Sequence, residues 1–201
     1  MAITRFKDSS VVTGDKYITF LAGNPAYDPA AFDSIATILG TGSSTTVTFS
    51  SIPQTYVALQ IRMTGKVSST GTDVTSLLLT FNGSATGYAQ HALTGTSSVA
   101  ATGTASTTSI TVPSVSTTSD PTSTNGVSII DIHDYASTTR NKTVRAFSGA
   151  DLNSTTVGAV SLSSGLWANT SAVTSITLTG VGADTPNWSA DSVFELYGVK
   201  G

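Results

Sequence analysis

From Ser34 onward, apolar and polar residues alternate in short runs, and clusters of Gly, Ser, Thr, Asn and Pro separate the runs. A period of two marks a strand with one face in a core, because successive side chains of an extended chain point to opposite sides. In Tyr56-Val57-Ala58-Leu59-Gln60-Ile61-Arg62-Met63, the residues Val57, Leu59, Ile61 and Met63 fall on one face. Gln60 and Arg62 fall on the other. Ile176 and Leu178 likewise share a face. The pattern predicts strands at 35–39, 45–49, 56–63, 76–81, 127–133, 142–147, 157–167, 172–179 and 192–199. Strands in this number, with no helical period between them, predict an all-β protein: an antiparallel β-sandwich of jelly-roll-like form.

Two stretches depart from the pattern. Residues 1–33 hold several of the few charges (Arg5, Lys7, Asp8, Asp15, Lys16, Asp28) and an aromatic series, Phe6, Tyr17, Phe20 and Tyr27. They read as an extended N-terminal arm ahead of a sandwich domain over 34–201, the alternative being an edge strand of that domain. Residues 94–126 run in Thr, Ser, Ala and Gly, with Pro113, Pro121 and the turn pair Asn125-Gly126. Within them 109–115 is a strand candidate. The rest reads as a long surface loop or an outer hairpin, a place where recognition often sits.

Composition strengthens the β reading. Ser and Thr make up about a third of the 201 residues, charged residues only 10%, and Glu195 is the single glutamate. Strong helix formers are scarce, whereas Thr and Val suit strands. An apolar content of 39% argues against disorder for most of the chain. A net charge of −3 offers no basic footprint for nucleic acid or anionic lipid. The first residues show no signal-peptide pattern, and no apolar stretch approaches membrane-spanning length. Synthesis in the cytoplasm, with no membrane and no nucleic acid as partner, is the expectation.

The sequence holds little that points to catalysis. With no cysteine, thiolate chemistry and disulfides are excluded. Asp131 and His133 share a strand face with Asp134 beside them, but a metal site needs three or four ligands and His91 is the only other imidazole. No nucleophile elbow and no phosphate-binding glycine loop is present. The acids are mostly isolated aspartates in turn contexts, not the paired carboxylates of glycosidases. The expectation is no enzyme activity, no cofactor and no metal. Tyr88, His91 and Trp188 are the candidates for facing a sugar ring, with core or rim packing the alternative for Trp188.

Several segments in order resemble a widespread group of phage virion structural proteins. They are Ile52-Pro53-Gln54-Thr55-Tyr56 with Leu59-Gln60-Ile61-Arg62, and Leu79-Thr80-Phe81-Asn82-Gly83. Ile129-Ile130-Asp131-Ile132, Asp134-Tyr135 and Lys142-Thr143-Val144 follow. Gly165-Leu166-Trp167, the run from Ala172 to Leu178, and the ending from Ser192 to Val199 complete the match, which spans 34–199. Gly23-Asn24-Pro25-Ala26-Tyr27 is similar to the start of such proteins. The resemblance implies a β-sandwich on a virion surface, as a capsid decoration (cement or head-fibre) protein or as a tail-associated receptor- or glycan-binding module. It implies the major capsid protein or another virion protein as partner, a homotrimer, and a host surface glycan in the second case. Arg5, Phe6, Tyr17, Phe20 and Tyr27 would then be the capsid-attachment residues of the arm, since an extended segment can add to a sheet edge on its partner.

Overall fold

A computed structural model describes residues 31–120, 123–153, 158–184 and 186–201. Arg5, Phe6, Tyr17, Phe20 and Tyr27, and the arm expected over 1–30, lie outside the described residues. Among the described residues twelve strands follow one another, with no helix. The first six are β1 (Phe32–Leu39), β2 (Thr46–Phe49), β3 (Ala58–Val67), β4 (Val74–Phe81), β5 (Tyr88–Gly95) and β6 (Val99–Thr107). The second six are β7 (Ile110–Thr117), β8 (Gly126–His133), β9 (Lys142–Asp151), β10 (Gly158–Trp167), β11 (Ile176–Gly180) and β12 (Val193–Val199).

These strands form one hydrogen-bonded ladder that folds back on itself. Eight strands in the order β1-β12-β3-β8-β9-β10-β5-β6 make one antiparallel layer. Four in the order β2-β11-β4-β7 make the other. The layers join where the last residues of β3, Lys66 and Val67, pair in parallel with Ser116 and Thr117 of β7. β7 then packs across β8, β9, β10 and β5. The all-β class is as the alternation predicts.

One core fills the space between the layers. Leu59, Ile61, Leu77, Leu79, Phe81, Ile110, Val112, Ile130, Ile132, Ile176, Leu178, Phe194 and Leu196 are buried in it. Each such side chain contributes about 1.5–3 kcal/mol over leaving it in water. Tyr135 closes the core at one end: its hydroxyl donates to the Pro53 carbonyl at 2.6 Å and accepts from the Tyr56 N–H at 3.1 Å.

Three expectations need correction. The arm boundary at 33 runs through β1, which starts at Phe32 and pairs along its length with β12. Val57 does not join Leu59, Ile61 and Met63 in the core: β3 begins one residue later, at Ala58, and Val57 is exposed. In the 94–126 stretch the long-loop reading fails, while the outer-hairpin reading and the strand candidate at 109–115 hold: it contains the end of β5, the outer strand β6 of their hairpin, and β7. Pro113 does not stop β7 because it sits opposite a register shift between Thr75 and Ser76, where the ladder is interrupted and its missing N–H is harmless. The Ser148 hydroxyl donates to the Pro113 carbonyl from the facing layer at 2.6 Å.

Candidate functional site

The outer face of the eight-stranded layer carries the most unusual chemistry of the described residues. Strand alternation places Ile129 on β8, Phe147 on β9, Leu162 on β10 and Leu93 on β5 on that face. The register sets them side by side: Ile129 opposite Phe147, Phe147 opposite Leu162, Leu162 opposite Leu93. All four are 46–57% exposed, so a row of large apolar groups lies in water across four strands. A second row beside it runs Val127, Gly149, Val160, Gly95 and Val99. The glycine between Val127 and Val160 leaves a hollow of ≈ 330 Å³, walled by Arg62, Thr64, Ile129 and Phe147. Singly exposed apolar residues are ordinary, but contiguous ones mark contact surfaces.

On the other flank of the apolar row lies a polar one: Gln60, Asp131, Arg145, Ser164, His91 and Gly103. Its charges are engaged with each other. Asp131 accepts from Gln60 Nε2 at 2.8 Å and from Arg145 Nη2 at 2.7 Å. Partial burial pushes the Asp131 carboxyl up, but the Gln60 and Arg145 hydrogen bonds outweigh it and hold the carboxyl below its ordinary value. Arg62 Nε donates to Gln60 Oε1 at 2.8 Å, and its guanidinium lies over the rings of Phe32 and Tyr197 at 5.2 and 4.9 Å. A second hollow, of ≈ 380 Å³, opens between Arg145, Ser164 and His91 on one side and Leu162, Leu93 and Ala101 on the other.

The structure separates the three residues expected to face a sugar. His91 is exposed on this outer face, and its ring lies across Gly103, where a Cβ would have no room. Tyr88 points to the opposite side of the same strand and is buried. It stacks on Trp167, with centroids 6.1 Å apart, and packs against Phe81. Its hydroxyl accepts from the Phe81 N–H at 2.8 Å and closes the turn after β4. Burial pushes its phenol pKa up. Trp188 is wholly buried, edge-on to Phe194 at 4.8 Å. Tyr88 and Trp188 are therefore core residues, removed from any ligand by the layer that covers them. Asp131 and His133 do share the outer face, but Asp134 turns away in a left-handed conformation (φ 56°) and pairs with Arg140 at 2.8 Å. Among the described residues no three His, Asp or Glu side chains converge.

Sequence reasoning missed the apolar row. One signal for it lies in β9, where Phe147 shares a face with Arg145 and Thr143. The chain matches no family model, no curated protein and no solved structure.

Proposed function

We propose that the protein is a non-enzymatic structural component of a phage particle, and that it is a capsid decoration protein. In this reading, residues 1–30 attach it to the major capsid protein or another virion protein, and the two-layer β unit stands on the particle surface. The observation that supports a contact role is the outer row Ile129–Phe147–Leu162–Leu93, apolar, exposed and held on a rigid sheet. Its polar neighbours Gln60, Asp131 and Arg145 satisfy one another, which suits a surface made to be covered and not one made to transfer protons. The phage assignment rests on the resemblance of residues 34–199 to virion proteins.

Immunogold labelling of purified particles with an antibody to the β unit tests this reading. Label on the head is expected, and it should be lost when the gene lacks codons 2–30 while the truncated protein stays soluble in the lysate. Label confined to the tail would replace the head assignment by the tail-associated one. Particles without label would remove both.

A further inference from the structure

Among the described residues the eight-stranded layer ends on β6, a long free edge whose only irregularity is a bulge at Ser106, next to its last residue, so that Val99–Ala105 runs unbroken. Three strands of the described residues hydrogen-bond on one side only: β1, β2 and β6. Unpaired edge groups invite another strand, and proteins blunt them by shortness, charge, proline or bulges. β2 has four residues. β1 carries Asp33, ion-paired with Lys200 at 2.6 Å, and a bulge between Ser34 and Ala36. β6 has nine residues, Val99-Ala-Ala-Thr-Gly-Thr-Ala-Ser-Thr107, with no charge and no proline. Every residue from Val99 to Ser106 is exposed, so neither face of the strand is covered.

The centre of β6 is also a palindrome, Ala101-Thr102-Gly103-Thr104-Ala105. We propose that β6 pairs antiparallel with β6 of a second copy, about a two-fold axis through Gly103. That register sets Thr102 against Thr104 of the second copy, Ala101 against Ala105, and glycine against glycine. Thr–Thr is a favourable cross-strand pair, and the small outer residues leave the backbones free to meet. An isologous contact uses the same patch twice and closes at two copies, so it does not propagate into a fibre. It also joins the outer faces. The apolar row ending at Leu93 and Ala101 continues into Ala105, Ala89 and Leu166 of the second copy, which the register aligns. This inference holds whether or not the protein belongs to a virion.

Sedimentation of the full chain from micromolar to millimolar concentration, with charge-swapped variants, tests it. The chain of 20.4 kDa should double in mass as concentration rises. Both Thr102→Lys/Thr104→Lys and Thr102→Glu/Thr104→Glu should weaken pairing at least tenfold, since each puts like charges opposite in two places. Their circular dichroism should stay that of the parent, because both threonines are exposed. Mixing the two variants should restore the doubled mass, since lysine then faces glutamate. A chain that stays single at millimolar concentration, variants that pair like the parent, or a mixture that does not pair, would each overturn the proposal.

Discussion

The two sides of β10 differ in a way that teaches what fills this molecule. Its inner side presents Ser161, Ser163 and Gly165, all buried, while Val160, Leu162 and Leu166 stand in solvent on its outer side. Small groups face inward because β7 comes close from the other layer. A Cβ on Gly165 would meet Ile110 at 2.7 Å. β7 supplies the volume with Ile110, Val112 and Val115, and β10 supplies the room for it. Close packing is a property of the two layers together, so a serine is the better inner residue where its neighbour is large. The leucines outside are then free for another partner.

Substitutions on the two sides should break or sharpen this contrast. The largest losses belong to the inner side. Trp188→Ala should cost about 3–5 kcal/mol and Ile110→Ala about 2–5 kcal/mol in urea unfolding, because each leaves a cavity that the layers cannot close. Values under 1 kcal/mol would mean that the layers are not packed as described. Lys142 comes next. It is fully buried, and its ammonium donates to the carbonyls of Ser137, Arg140 and Thr170 at 2.6, 2.7 and 3.0 Å. Lys142→Met keeps the length and removes the donor, and should cost about 1–3 kcal/mol through unpaired carbonyls.

The outer side should respond less. Arg145→Met removes the partner of Asp131 from an exposed pair and should cost about 0.2–1 kcal/mol at neutral pH. The folded-state pKa of Asp131 is lowered, so its contribution is present above the ordinary value of 3.8 and is lost as pH falls through the lowered one. Unfolding curves of parent and variant should therefore converge in acid, and a gap that widens there would contradict the pairing. Leu162→Ser and Phe147→Ser should change stability by no more than about 0.5 kcal/mol. They should nevertheless reduce binding of a hydrophobic dye, which reports the exposed row directly. Equal dye binding in parent and variants would leave the row without a role.

Much of this was legible along the chain, and the exceptions share a cause. Ile61 and Leu178 fall inside because their strands are bounded by polar faces that leave no other choice. β6 was not placed as a strand because Ala, Gly and Thr carry almost no contrast between faces, and a strand exposed on both sides needs none. In β5 the apolar Tyr88 and Leu93 fall on opposite faces, so no alternation marks it. Trp188 looked like a sugar platform from its turn, Pro186-Asn187-Trp188, yet the turn folds its ring inward onto Phe194. Residues 1–30, where the attachment residues were expected, lie outside the described structure.

The alternation of residues by itself determined that the chain is all-β, where nine of its strands lie, and that Leu59, Ile61 and Met63 share a buried face. It did not determine which face of β10 is the inside. Alternation alone would turn Val160 and Leu162 of Val-Ser-Leu-Ser inward, whereas they are exposed and Ser161 and Ser163 are buried. The tertiary structure decided that by bringing β7, forty residues and more away in sequence, within contact distance of Gly165. A strand cannot record in its own residues how much volume another strand will bring, and so the apolar surface of this protein became visible only with both layers in place.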